Sequence, residues 1–306
     1  MKPDQPYSRM KIRLLPCLLF GVWIISAAAP LAGAQTPLKI FISVDMEGIG
    51  GIGTSAMTSA SGKDYATGRR LMTDEVNAVV EEIFAAGPAE ILVNDSHGDM
   101  QNLLHTELHE DVEYIQGNIK PFGMVQGLDD SFDAAVFIGY HARAGTENAF
   151  LAHTGSGSVK GLWLNGTEVG EGGMNAAFAG ALGVPVILAS GDEAFAAQFA
   201  DLTGARTVAT KLAIGTQVAR LDHPSEVGRR LREGVRAALS ELGEAESFVI
   251  DAPVGVRMQF ATTTRADILQ AVPGMRRVDG YTVEYTADSM TEAYGLIRLM
   301  YKYIAW

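Results

Sequence analysis

The chain has a single cysteine, Cys17, and it lies inside an N-terminal segment that reads as an export signal. A chain cleaved after that segment keeps no thiol at all. Disulfides, thiol nucleophiles and thiolate metal sites are therefore excluded, and any metal must be held by His, Asp and Glu. Lipid attachment at Cys17 is also disfavoured, because Pro16 stands where a small residue is needed. Positive charge is scarce too: 24 Lys and Arg face 36 Asp and Glu, for a net charge of −12. Residues 1–34 hold four basic side chains and one acid, so their removal makes the remainder three units more negative. Nucleic acid and anionic membranes are poor partners for such a surface.

Long apolar runs are missing as well. The run from Leu14 to Ala29 is broken by Pro30, short of the roughly 20 residues a spanning helix needs. Before it stand Lys2, Arg9, Lys11 and Arg13, and after it Ala32-Gly33-Ala34, a small-x-small cleavage site. The expectation is a secretory signal over 1–34, cleaved after Ala34, and a periplasmic or secreted protein with no membrane attachment thereafter. There is no internal repeat, low-complexity tract or Pro/Ser/Gly linker. With a hydrophobic share of 47% the rest can bury a full core, as one large domain or two unequal ones.

Leu38 to Val44 reads as a buried strand. Thr73 to Ala86 reads as a helix opened by Thr73, with Val76, Val79, Val80 and Ile83 on one stripe, and Gly87-Pro88 stop it. Strands follow at Glu90–Val93 and Ala134–Ile138, with a short extra strand at Val112–Ile115. Strand, helix, strand in this order predicts a parallel sheet. From Ser156 to Val169 the pattern alternates about Asn165-Gly166, a hairpin signal. A small-residue helix is expected over Glu171–Leu182, and a strand over Val186–Leu188. Later come a helix at Glu226–Leu242, strands near Phe248–Ile250 and Arg257–Phe260, and a last helix from Met290 to Ile304. The fold class expected is α/β, doubly wound on a mainly parallel sheet, with a smaller α+β second domain. Residues 35–203 would form the first domain and 204–306 the second, packed on it.

The early strands end in side chains able to bind metal: Asp45 and Glu47 after the first, Asp95 and His97 after the second, His141 after the third. In an open parallel sheet the site lies beyond the carboxyl ends of the strands. Asp45 and Glu47, two apart, share a face in extended backbone. Each residue alone has a plainer explanation, as a turn former or a structural histidine; Asp95 in Asn94-Asp95-Ser96 looks like such a turn former. The joint pattern is harder to explain away. Of the six histidines, His97, His141 and His153 sit in Gly- or Ser-bearing turns after strands, whereas His105, His109 and His223 read as surface.

Gly48-Ile49-Gly50-Gly51-Ile52-Gly53 matches a dinucleotide-binding glycine pattern, but its context does not. A pyrophosphate would meet Asp45 and Glu47, the Ser/Thr-rich stretch to Gly62 opens no helix, and the ribose-binding acid is missing. The glycines read instead as a loop passing close to a metal or substrate.

Ser43-Val44-Asp45-Met46-Glu47-Gly48, Val93-Asn94-Asp95-Ser96-His97, Gly139-Tyr140-His141-Ala142-Arg143-Ala144 and Gly170-Glu171-Gly172-Gly173-Met174-Asn175 together resemble the successive signature blocks of the zinc-dependent D-aminopeptidases associated with dipeptide transport. Lys120 to Asp129 and Met290 to Tyr294 are similar to that family too. The resemblance implies five metal ligands, Asp45, Glu47, His97, His141 and Glu171, with His153 as the catalytic histidine. Around His153 the sequence departs from the family pattern: Gly145–Ala152 is longer, and Ala152-His153-Thr154 replaces a Ser-His-Ser context.

Five ligands suit two metal ions sharing one carboxylate, and the charges agree: three carboxylates and a bridging hydroxide balance two divalent ions. Asp45 is the candidate bridge. Two Zn2+ ions would lower the pKa of bound water and polarise the scissile carbonyl, while His153 acts as proton donor, oxyanion stabiliser or nucleophile. Arg143 is either a carboxylate-binding group or a plain surface residue. The function expected is an exported two-zinc aminopeptidase releasing N-terminal D-amino acids such as D-Ala from short peptides, and the family implies a homo-oligomer. The alternatives are a two-metal hydrolase of L-peptides or other amides, and a non-catalytic periplasmic binder of metal or peptide.

Overall fold

The computed structural model describes Met1 and residues 36–304, so the expected export segment and its cleavage point lie, Met1 aside, outside the described residues. In chain order the elements are β1 (Leu38–Val44), α1 (Tyr65–Ala86), β2 (Ala89–Asp95), β3 (Glu113–Ile115), β4 (Ala134–Tyr140), β5 (Val159–Leu164), β6 (Thr167–Glu168), α2 (Glu171–Ala181) and β7 (Val186–Asp192). They continue as α3 (Glu193–Thr203), β8 (Arg206–Gly215), β9 (Val218–Leu221), α4 (Pro224–Ser240), β10 (Val254–Phe260), α5 (Thr263–Leu269), β11 (Arg276–Arg277), β12 (Thr282–Ala287) and α6 (Met290–Arg298), which runs into a π-helical turn over Leu299–Tyr303. No helix among the described residues is long and apolar enough to cross a membrane.

A seven-stranded sheet runs β3-β2-β1-β4-β7-β8-β9, parallel except for the antiparallel edge strand β9. A five-stranded antiparallel sheet runs β11-β12-β10-β5-β6. The expected α/β class with a mainly parallel sheet is what the chain forms. Strand β1 is covered on both faces, as parallel strands with crossover helices must be. Its alternate residues Ile40, Ile42 and Val44 join the cluster of Met72, Val76 and Val79 from α1 and Val227, Leu231 and Val235 from α4. Phe41 points the other way, into a cluster with Met174 and Phe178 of α2, Phe195 and Phe199 of α3, and Leu162 and Met258 of the second sheet. The period of two along the strand thus sorts its side chains between the two faces.

Strand β1 pairs in parallel with β2 on one side and β4 on the other, with Val44 opposite both Asp95 and Ile138. The chain leaves β1 toward β2 and later returns to its other edge as β4. That reversal opens a crevice beyond the carboxyl ends of these strands, where ligands bind in folds of this type.

Several expectations change on contact with the structure. Helix α1 begins at Tyr65, not Thr73. Thr73 is buried within it, its hydroxyl donating to Arg69 O (2.9 Å) and accepting from Leu104 N (3.1 Å), so it serves packing and not the helix start. No strand forms at Phe248–Ile250. The expected last helix is α-helical only as far as Arg298. The boundary expected at 203/204 falls between α3 and β8, and both sheets draw strands from each side of it: β8 and β9 complete the first, β5 and β6 belong to the second. Asn165-Gly166 does form the hairpin turn, with φ of 47° and 86°, the left-handed pair a two-residue hairpin requires.

Candidate metal centre

The turn after β1 is pressed against the end of β4. Asp45 N donates to Ile138 O (2.8 Å) and Gly48 N to Gly139 O (2.7 Å). A Cβ on Gly48 would lie 1.9 Å from Tyr140 O, and one on Gly139, whose φ is +70°, 2.4 Å from Asp45 O. Only glycine allows this approach, and the approach brings Asp45 and Glu47 to His141.

Asp95 explains how His97 joins them. Its carboxylate accepts from Asn102 N (2.5 Å), Leu103 N (2.8 Å) and Asn102 Nδ2 (2.8 Å), which closes the loop from 97 to 103 over the end of β2. The reading of Asp95 as a turn former is correct, and what it orients is His97. Glu171 is the first residue of α2, and its Oε1 accepts from Gly155 N at 2.6 Å. That bond draws the loop carrying His153 to the same place.

All six site residues expected from the sequence converge. His97 Nδ1 stands 3.1 Å from Asp45 Oδ1 and 3.0 Å from Glu47 Oε2. His141 Nε2 stands 3.4 Å from both Asp45 Oδ2 and Glu171 Oε1. Asp45 therefore faces two histidines with different oxygens. His153 Nε2 lies 3.5 Å from Glu171 Oε1. The candidate ligand atoms of Asp45, Glu47 and His141 lie within 4.8 Å of one another, as do those of His141, His153 and Glu171.

Each histidine has one ring nitrogen committed to a backbone carbonyl, which can only accept: His97 Nε2 donates to Thr58 O (2.7 Å), His141 Nδ1 to Ala142 O (3.0 Å) and His153 Nδ1 to Leu151 O (2.9 Å). The other ring nitrogen is turned into the cluster. Metal-binding histidines are oriented in the same way by such outer bonds.

The cluster calls for positive charge. Asp45 Oδ2, Glu47 Oε2 and His141 Nε2 are buried without a hydrogen-bond partner, a costly state for polar atoms. Burial, with the neighbouring Glu47 charge, pushes the Asp45 carboxyl up to about 7. Burial also opposes charge on His141, but Glu171, Asp45 and Glu47 outweigh it and raise the imidazole to about 10. Burial would raise Glu47, yet His97 holds it well below the usual carboxylate range. Unpaired atoms, three carboxylates and two oriented imidazoles at one point fit divalent cations held by oxygen and nitrogen donors, as zinc sites are.

Three further residues that sequence reasoning passed over shape the site. Lys211, buried on β8, donates to Glu47 O (2.6 Å) and Ile52 O (2.7 Å). Thr210 donates to Gly48 O and Gly191 O, and Glu75 of α1 accepts from Gly50 N at 2.6 Å. The glycine loop is thus pinned from both sides. The available signal was Thr-Lys in the middle of an otherwise apolar alternation, a polar pair where core was due. Arg143 is a third exposed and pairs with Glu168, Nε to Oε2 at 3.1 Å. Of the histidines read as surface, His105 and His223 are exposed and His109 is half-buried against Phe84.

A family model described as D-aminopeptidase matches residues 38–299. A D-aminopeptidase of Bacillus subtilis (strain 168) is 37% identical over 266 residues, which cover 86% of this chain and 96% of the relative. A solved structure, described as the Zn-dependent D-aminopeptidase DppA from Bacillus subtilis, a self-compartmentalizing protease, matches with a TM-score of 0.85 at 35% identity, covering 87% of this chain and 98% of that one.

Proposed function

This chain belongs to the D-aminopeptidase family, and we propose that it is an exported two-zinc aminopeptidase that releases N-terminal D-amino acids, such as D-Ala, from short peptides. The observation that carries the two-ion reading is Asp45, whose two carboxylate oxygens each face a different histidine. One position would be held by Glu47 and His97, the other by His141 and Glu171, and Asp45 would serve both. Zinc held by these residues would supply Lewis acidity, lowering the pKa of water and polarising the scissile carbonyl.

The protein's own residues supply the rest. His153 is the most exposed of the three site histidines; its Nδ1–H is held by Leu151 O, leaving Nε2 to take up a proton and pass it to the leaving amine. Glu171 Oε1, shared between His141 and His153, holds that ring toward the reacting bond. Export rests on the charged, apolar and small-residue pattern of residues 1–34. Homo-oligomerisation is part of the proposal by analogy with the self-compartmentalizing relative.

Elemental analysis of the purified protein and its Glu171→Ala variant, with a D-Ala-D-Ala hydrolysis assay on the same samples, tests this reading. Two zincs per chain with cleavage, both reduced in the variant, is the result expected. One or no zinc at saturation, without cleavage of D-Ala-D-Ala or D-alanine amide, would overturn it. A matched L-peptide panel decides stereochemistry, and light scattering after size-exclusion decides assembly.

A further inference from the structure

The candidate metal centre accounts for the scissile amide but leaves the other end of a short substrate without a partner. In a dipeptide that end is a free carboxylate, roughly one residue, about 3.5 Å of extended chain, beyond the scissile carbonyl. A cation on the rim of the cluster would be placed to receive it. Among the described residues near the cluster, the cations Lys120, Arg143, Lys211 and Arg298 are engaged. Lys211 is buried on Glu47 O and Ile52 O. Lys120 is buried on Asn94 Oδ1, Asp95 O and Ile115 O. Arg298 is 2% exposed and turned inward onto Lys120 O and the Tyr301 hydroxyl. Arg143 is balanced by Glu168.

Lys302 is different. It follows Arg298 in the π-helical turn after α6 and is half-buried. Its Nζ donates to Gly98 O at 2.9 Å, directly after His97. Its neighbour Tyr301 packs its ring beneath Gly155, where a Cβ would come within 2.5 Å of it, and Gly155 N–H is the donor to Glu171. Residues 301 and 302 therefore span from the His97 end of the cluster to the Glu171 end. Glu171 and Asp99 are within electrostatic reach of the ammonium, yet among the described residues no carboxylate comes within ion-pair distance of it. One of its three N–H groups is used by Gly98 O, which aims the head group, and two remain free.

We propose that Lys302 binds the free C-terminal carboxylate of short peptide substrates and so makes the site selective for dipeptides over longer or carboxyl-blocked peptides. The proposal rests on the D-aminopeptidase reading above. Lys302 is a specificity residue in it, acting on the substrate's far end and not on the reacting atoms. A charge-assisted bond of this kind corresponds to about 10- to 100-fold in binding.

The test compares the zinc-loaded protein with Lys302→Met and Lys302→Arg on D-Ala-D-Ala and on D-Ala-D-Ala amide. Lys302→Met should lower the ratio of kcat/KM for the free peptide over the amide by about 10-fold or more, through KM, and Lys302→Arg should restore most of it. Calorimetric titration of D-Ala-D-Ala into the zinc-loaded His153→Ala variant, with and without Lys302→Met, should give the same loss without turnover. An unchanged ratio with an unchanged dissociation constant overturns the role of Lys302 and leaves the peptidase reading standing. If the unaltered protein cleaves neither peptide, the peptidase reading has failed and the Lys302 assignment falls with it.

Discussion

The rings of His141 and His153 stack face to face, with centroids 4.0 Å apart and planes inclined by 13°. Both turn Nε2 toward the same oxygen of Glu171, at 3.4 and 3.5 Å. Two histidines twelve positions apart in sequence thus act on one carboxylate, one buried beside Asp45 and the other at the open side.

That asymmetry predicts how they differ. His153→Ala should keep the zinc content of the unaltered protein and lose about 10²- to 10⁴-fold in kcat, the range of a positioned acid–base group. Metal content and rate on the same sample check it. Loss of one zinc would make His153 a ligand, and a near-normal rate would leave it no catalytic part.

Lys211 should matter through Glu47 without touching substrate. Lys211→Met removes the bonds to Glu47 O and Ile52 O, and zinc affinity should fall about 10- to 100-fold, the usual effect of losing an outer-sphere partner. Competition with a chromogenic chelator measures this, alongside a melting curve to separate it from unfolding. An affinity equal to the unaltered protein's would show that the loop holds its shape without Lys211.

Gly48→Ala should be severely destabilising, because its Cβ would fall 1.9 Å from the backbone oxygen of Tyr140. Neither atom can give way without separating the β1 turn from β4. Little folded, zinc-binding protein is expected, as judged by melting and metal content. A variant that melts and binds zinc normally would mean that this turn has another arrangement open to it.

Glu75 supplies a pH dependence. Burial raises its carboxyl to about 8, although Gly50 N–H and Lys211 pull the other way. A carboxyl raised on folding contributes stability that is fully present below its unfolded value of 4.5 and is lost as pH climbs through about 8. Each unit of that shift is worth about 1.4 kcal/mol. Urea unfolding should therefore show Glu75→Gln gaining on the unaltered protein from pH 5 to pH 9. A constant difference across that range would mean that Glu75 does not change protonation on folding.

Much of this was legible beforehand because it is written locally. Strands β1, β2 and β4 announce themselves through their apolar cores, Ile40–Ile42, Ile91–Val93 and Ala134–Ile138, since both faces of a parallel sheet are covered, and acids and histidines at or directly after their ends lie where such sheets bind ligands. Asn165-Gly166 marked its hairpin because few other residues accept its backbone angles. Strand β8 stayed hidden because it buries Thr210 and Lys211, whose polar atoms are satisfied by the carbonyls of Gly48, Glu47 and Ile52, from a loop more than 150 residues away in the chain. The early start of α1 was hidden for a similar reason: Thr67, Gly68 and the Arg69-Arg70 pair interrupt the apolar stripe before Thr73, and packing holds the segment in place, with Gly68 set against Met57.

The sequence by itself determined the class of fold, the absence of thiols after Cys17, and four residues that meet at the site, Asp45, Glu47, His97 and His141, because strand ends and turns are set by neighbours in the chain. Glu171 and His153 were legible only through the resemblance to the D-aminopeptidase signature blocks. Only the tertiary structure decided which Asp45 oxygen faces which histidine, that Asp95 serves His97, and that Lys211, Glu75 and Lys302 come to the site's edge. Those relations depend on how separate strands and the C-terminal turn are brought side by side, where burial makes each unpaired polar atom costly enough to fix its partner.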